Sequence, residues 1–282
     1  MNSAKNKFLT KFIQPIYFSK KLPVFHIAKL FNKPKKVISL SANGIGTPED
    51  PVFLTAHRGV SAVAPQNSLP AYKEAVKLEY YSSECDIRLS KDNQWVLIHN
   101  DTLDSQFLQK GKISDFTFDE LRTYKYNNGV NFWKYDDLKI STLDEYLDVF
   151  VGSKTRPQIE IKSKTYDLLH TVVEAVEKKG LVEQSIIISF DYEQLVRIHA
   201  LNDKIELWYL IDTITQKDID DARAIGDNVW LSPCYQKNTD ETIKLALDSG
   251  IGVSFWTVNK VEDAKRLYDL GVRYIESDIL HY

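Results

Sequence analysis

Four short stretches carry ionisable side chains where a buried core tolerates them only with a partner. "LTAHRG" ends an apolar run on His57-Arg58, and "ECDIRL" sets Glu84 and Asp86 two residues apart. "QIEIK" does the same with Glu160 and Lys162, and "WVLIHN" closes on His99. Residues two apart on a strand share a face, so each of these pairs projects together, with Cys85 turned the other way. A lone buried carboxylate reads equally well as one half of an ion pair with Arg58 or Lys162. Three carboxylates converging from two neighbouring strands form the all-oxygen donor set of a hard divalent cation. Two histidines at strand ends beside them have the makings of an acid–base pair, one taking a proton while the other gives one. Arg58 and Lys162 add fixed positive charge, and arginine grips an oxyanion through two bonds at once. The chemistry implied is proton transfer beside a bound anion. The other histidines fall in helical patterns (His170, His199), near the start (His26) or at the end (His281), and read as surface or packing residues.

The elements that must position these groups alternate. From residue 52 onward, nine β-branched or aromatic runs are separated mostly by helical patterns such as "LPAYKEAVKL", "TYDLLHTVVEAVEKKG" and "VEDAKRLYDLG". Several of these patterns close on glycine, as helix C-termini do. Such alternation predicts a parallel sheet with helical crossovers. Only "SKDNQ" separates "ECDIRL" from "WVLIHN". A parallel neighbour needs a crossover of about a dozen residues, so these two runs form an antiparallel hairpin. Removing that excursion leaves eight strands and predicts an α/β (β/α)8 TIM barrel, with an antiparallel hairpin and small insertion after strand 2, about residues 91–141. Thr142 and Glu145 have capping-box spacing where the insertion ends. An open doubly wound sheet is the other arrangement, and it would lack a Gly-rich dinucleotide fingerprint here.

The charge is uneven. Residues 1–48 hold nine lysines, no arginine and no acid, leaving 27 basic against 39 acidic residues, a net −12, in 49–282. We therefore divide the chain into a basic amphipathic arm, 1–48, and a barrel domain, 49–282. Thirteen apolar side chains, among them Phe8, Phe12, Ile16 and Phe31, interleave with the lysines, and Pro15, Pro23 and Pro34 break the arm into pieces. Such a segment either docks on the barrel or lies on an anionic membrane surface. The acidic body would repel a nucleic-acid backbone, so no nucleic-acid partner is expected. No apolar run reaches the roughly 18 residues of a membrane span, and the arm lacks the cleavage site of a secretory signal. Two cysteines are too few for a disulfide framework and fit a reducing, cytoplasmic setting with peripheral membrane contact through the arm.

At His57-Arg58, Glu84-Cys85-Asp86 and His99 the sequence resembles the glycerophosphodiester phosphodiesterase family. "QNS", "STLDE", "IEIK", "WTVN" and "GVRYIESD" extend the likeness over about 55–278. The resemblance implies a metal-dependent TIM-barrel enzyme hydrolysing glycerophosphodiesters to glycerol 3-phosphate and an alcohol, with a glycerophosphodiester or lysolipid as its small-molecule partner. It implies His57 and His99 as the acid–base pair, and Glu84, Asp86 and Glu160 as ligands of one Ca2+ or Mg2+ ion. Arg58 and Lys162 would then contact the phosphate, and Trp256 the organic part of the substrate. The chain departs from the family pattern at Gln66, where a carboxylate is usual, at Asn100, and at Leu103-Asp104-Ser105, where an arginine is missing. Two other functions compete: a lysophospholipase D or sphingomyelinase-D-like enzyme, which the basic arm favours, and a non-catalytic phosphate- or lipid-binding barrel.

Overall fold

A computed structural model describes residues 32–282; the first 31 residues of the basic arm lie outside them. Eight parallel strands wind in the order β8-β7-β6-β5-β3-β2-β10-β9. They are β2 (Phe53–Ala56), β3 (Ser82–Leu89), β5 (Arg156–Ile161), β6 (Ile186–Ser189), β7 (Glu206–Ile211), β8 (Val229–Pro233), β9 (Ser254–Phe255) and β10 (Tyr274–Ser277). Parallel bridges Leu231–Val253 and Cys234–Trp256 bring β8 to β9 and all but close the ring. At that join Gly252 lets the backbone pass against the Trp230 ring, where an added Cβ would fall 2.1 Å from a ring carbon. The TIM barrel read from the sequence is the fold observed. The "WVLIHN" run supplies β4 (Trp95–Leu97), which pairs antiparallel with β3 and stands off the ring.

Helices pack around the ring, α1 (Leu69–Lys77), α3 (Leu143–Asp148), α4 (Leu169–Lys178), α5 (Tyr192–Leu201), α6 (Gln216–Ile225), α7 (Asp240–Ser249) and α8 (Val261–Asp269), while the short α2 (Phe118–Leu121) belongs to the insertion and its own small core. Their ends carry the expected local chemistry. Thr142 and Glu145 form the capping box of α3, Thr215 and Asp218 that of α6, and Asp191 caps α5. Within the span read as the arm, Ile38–Ser39 (β1) pairs with Leu280–His281 (β11), and Leu40 and Ile45 join the main core. The described part of that span therefore runs down the outside of the barrel from the catalytic rim to the end where β2 begins.

The barrel interior is stratified. At the N-terminal end, Tyr274 stacks on Phe53 and meets Tyr81 edge-on, and Trp230 bridges Tyr274 to the buried Trp208. Above this aromatic plug, Thr55, Ser82 and Gln158 form a buried hydrogen-bonded layer. Two residues further along β3 and β5 are Glu84 and Glu160, and Glu276 of β10 lies beside Thr55 in the register. The opposite wall stays apolar, through Ile186, Ile188, Trp208 and Leu210.

One side chain bonds into the ladder beneath the carboxylates. Arg156 N donates to Tyr81 O and Lys162 N to Ile87 O, a register that would pair Gln158 N with Ser83 O. The Tyr146 hydroxyl meets the same two groups, accepting from Gln158 N at 2.9 Å and donating to Ser83 O at 2.5 Å. Removing it strands a buried donor and acceptor, which costs about 1–3 kcal/mol. Tyr146→Phe should lower the thermal midpoint by a few degrees in a calorimetric scan. An unchanged midpoint would mean that the two strands close up and bond directly.

Candidate active site

Strand β2 ends in a turn that sequence patterns do not show. Arg58 and Gly59 both take positive φ, 56° and 75°, immediately after the strand. A Cβ on Gly59 would lie 2.6 Å from the Ala71 Cβ, so glycine alone lets α1 sit this close. The turn reverses the backbone so that Arg58 N–H donates to Glu84 Oε2 at 2.8 Å, while the guanidinium Nε comes within 3.3 Å of Asp86 Oδ2. A non-glycine residue in the left-handed region marks strain held by its surroundings, and such strain gathers at functional sites. Gln66, the departure from the family pattern, accepts from Arg58 Nη1 at 2.9 Å and fixes the far end of the guanidinium.

The carboxylates sit where strand alternation put them. Glu84 and Asp86 are each 1% exposed, and Glu160 pairs with Asp86 across the β3–β5 register. One oxygen from each of the three lies within 4.8 Å of the others. Lys162 Nζ reaches Glu160 Oε1 at 2.5 Å and Asp86 Oδ1 at 3.3 Å. Asn67, buried in the loop before α1, clamps Asp86: its Nδ2 donates to Oδ2 at 2.7 Å and its Oδ1 accepts from the Asp86 N–H at 3.0 Å. Of the ion pairs weighed from sequence for Glu84 and Asp86, those of Asp86 form, and Lys162 also meets Glu160, yet Glu84 Oε1 is buried with no hydrogen-bond partner.

Electrostatics divides the cluster. Burial, then the charges of Asp86, Glu276 and Glu160, push Glu84 well above the usual carboxylate range. Burial and Asp86 also lift Glu160, against the pull of Lys162, to about 7. Burial would raise Asp86 too, but Arg58 and Lys162 outweigh it and bring the group to about 2. Counting Glu276, four buried carboxylates face two permanent cations, Arg58 and Lys162, a formal excess of two negative charges. A divalent cation fits this donor set: all-oxygen ligands, one of them orphaned, and a deficit that matches its charge. Glu84, Asp86 and Glu160 are the residues that would hold it.

His57 Nδ1 bonds Asp278 Oδ1 at 2.7 Å, and its Nε2 lies 3.7 Å from Glu276 Oε1. Burial disfavours its charged form, but the Asp278 bond and the Glu276 charge prevail and raise its pKa. His99 follows Ile98, whose N–H donates to Asp86 O, and its Nδ1 meets Asn100 Oδ1 at 2.8 Å. Burial lowers the His99 pKa, and the Arg58 charge adds to the effect against Asp86. Trp256 stands beside Phe190, ring centroids 5.8 Å apart, with its Nε1 donating to Ser232 O. Lys162 Nζ lies 6.0 Å from the Phe190 centroid, joining the aromatic pair to the charged wall.

Two functional candidates escaped the sequence reading. Glu276 and Asp278 lie in "GVRYIESD", two residues apart, and the alternation applied to Glu84 and Asp86 would have found them. Gln158 Nε2 holds Glu276 Oε2 at 2.9 Å, and Asn259, the last residue of "WTVN", donates to Asp278 Oδ2 at 2.7 Å.

The glycerophosphoryl diester phosphodiesterase family matches the chain over residues 57–280. A glycerophosphodiester phosphodiesterase of Caldanaerobacter subterraneus is 30% identical over 80% of this chain and 93% of its own length. One from Bacillus subtilis is 27% identical over 83% and 86%. Among solved structures, an Oleispira antarctica phosphodiesterase in complex with the product sn-glycerol-3-phosphate superposes with a TM-score of 0.73. It is 24% identical over 86% of this chain and 96% of that one, a likeness of fold.

Asp278 raises the His57 pKa from outside the carboxylate trio, so its removal has a definite sign. In metal-free Asp278→Asn protein the His57 imidazole should titrate at lower pH than in the wild type, followed by NMR, with His99 unmoved. An unchanged His57 titration would discard the Asp278–His57 coupling.

Proposed function

The chain belongs to the glycerophosphoryl diester phosphodiesterase family, and on that premise we propose that it hydrolyses glycerophosphodiesters to glycerol 3-phosphate and an alcohol, with one divalent cation on Glu84, Asp86 and Glu160 and with His57 and His99 as its acid–base pair. The observation that carries this reading is the gathering of three carboxylate oxygens within 4.8 Å, one of them unpartnered, beside both histidines and both cations. The names of the relatives support the substrate class. Oxygen-only donors favour Ca2+ or Mg2+ over zinc, which takes nitrogen and sulfur ligands.

When bound, the cation neutralises the non-bridging phosphate oxygens and orients the diester. Arg58 and Lys162 then have phosphate oxygens to grip in place of Asp86 and Glu160, and Gln66 keeps the guanidinium from swinging away. Both histidines have Nδ1 occupied, by Asp278 and by Asn100, so Nε2 is the proton-transferring atom in each. One imidazole accepts the proton of the attacking oxygen while the other protonates the departing alkoxide. The alcohol lies toward Trp256 and Phe190, where the wall turns apolar.

Glycerol 3-phosphate release from glycerophosphocholine tests the whole. Exhaustive chelation should reduce turnover to background, and Ca2+ or Mg2+ should restore it; full turnover by metal-free protein would overturn the cation's part. His57→Ala and His99→Ala should each lower kcat by about 100- to 10,000-fold. Titration calorimetry with the metal should find its affinity little changed in both variants. A near-normal kcat in either would remove that histidine from the mechanism.

A further inference from the structure

The described chain begins at the catalytic rim. Gly129 N–H donates to Asn32 Oδ1 at 3.2 Å, Asn131 N–H to Asn32 O at 3.0 Å, and Lys35 N–H to Ala62 O at 2.9 Å. The strap that follows, Lys33-Pro34-Lys35-Lys36, is exposed at all four residues. It shares a polar cavity of about 300 Å3 with the insertion, with Gln66, which holds Arg58, and with Asp278, which holds His57. Upstream, residues 1–31 add six lysines and no acid, with apolar side chains between them.

The same end of the barrel carries exposed apolar side chains. Leu108 on the insertion is 69% exposed, Phe190 after β6 50% and Tyr166 after β5 44%. Phe190 borders the mouth directly, against Trp256. The insertion, residues 91–141, carries eight acidic and seven basic side chains, so the three lysines of the strap turn the sum positive. Three lysines on an exposed strap at the rim of a body that is acidic overall orient the molecule on a negative surface, strap side first. A nucleic acid would satisfy the lysines and leave the apolar residues in water; a lipid surface takes both.

We infer that this protein lays the catalytic end of its barrel on an anionic lipid surface, through Lys33, Lys35, Lys36, Leu108 and Phe190, so that the mouth opens toward phosphodiesters carried on lipids. Only the identity of the substrate rests on the hydrolase reading; the orientation on the surface is independent of it. Each lysine near such a surface contributes about a fivefold gain in binding.

The test uses the full chain and phosphatidylcholine vesicles with or without one-quarter phosphatidylglycerol. Cosedimentation should require phosphatidylglycerol and fade as salt rises. The combined Lys33→Glu, Lys35→Glu, Lys36→Glu variant should bind on the order of a hundredfold more weakly, while releasing glycerol 3-phosphate from glycerophosphocholine at the wild-type rate. The native cysteines are buried, so an environment-sensitive dye on Leu108→Cys reports that site alone. Its emission should shift to the blue on anionic vesicles. The same dye on Val151→Cys, exposed between α3 and β5 at the far end of the barrel, should not shift. No vesicle binding, full binding by the charge-reversed strap, or a shift at residue 151 without one at 108 would each overturn the inference. Vesicle binding without any diester turnover would leave it standing and remove the hydrolase reading instead.

Discussion

Placing four carboxylates inside a closed ring of parallel strands costs several kcal/mol for each charge left uncompensated, and most of the local architecture of this barrel mouth answers that cost. Arg58 is brought to Asp86 by a turn with two consecutive residues in the left-handed region. Lys162 spans Asp86 and Glu160. Asn67 and Gln158 spend buried amides on Asp86 and Glu276. The compensation is incomplete, since Glu84 keeps an unpaired oxygen and both Glu84 and Glu160 hold protons more tightly than free carboxylic acids do. A site whose own cations fall two charges short is built to accept more positive charge, not to remain as it is.

That constraint also explains the division of the interior. The charged residues come from β2, β3, β5 and β10, which are contiguous in the sheet, while β6, β7 and β8 present Ile186, Trp208, Leu210 and Trp230. Buried charge interacts more strongly where polarisable water is absent, so the apolar half sharpens the field of the polar half as well as filling space. Below both, the aromatic plug seals the N-terminal end. The mouth is therefore two-sided, with Arg58 and Lys162 on the polar wall and Trp256 beside Phe190 where the wall turns apolar.

Much of this was legible before the fold was known, for reasons that also mark where the reading stops. The alternation of side chains along a strand is fixed by backbone geometry, so Glu84, Asp86, Glu160 and Lys162 declared a common face. A five-residue polar link cannot carry a parallel crossover, so β4 had to leave the ring. Glu276 and Asp278 obey the same alternation but stand in the last barrel strand, whose neighbour across the closure is β2, a pairing that no local pattern reveals. The pairing of β1 with β11 joins two-residue strands from opposite ends of the chain, too short for any periodicity. Gln66 read as the loss of a carboxylate; in the fold its amide oxygen accepts from Arg58 without adding a further charge to a site already overloaded with them.

The two histidines show how one cluster can tune like groups in opposite directions. His57 has anions for neighbours, Asp278 on one ring nitrogen and Glu276 near the other, and its pKa rises in spite of burial. His99 stands on the hairpin, where burial lowers its pKa and the charges of Arg58 and Lys162 work against the pull of Asp86. The barrel places them apart because β10 and β3 flank β2 from opposite sides, so that His57 meets Asp278 and Glu276 while His99 comes from the hairpin that leaves β3. Asp278 is not one of the trio, and Asn259 and Ser61 hold it independently. The bond that orients His57 therefore needs no charge on Glu84 or Glu160, and the imidazole keeps its tautomer and direction whether those carboxylates are protonated, paired or neutralised.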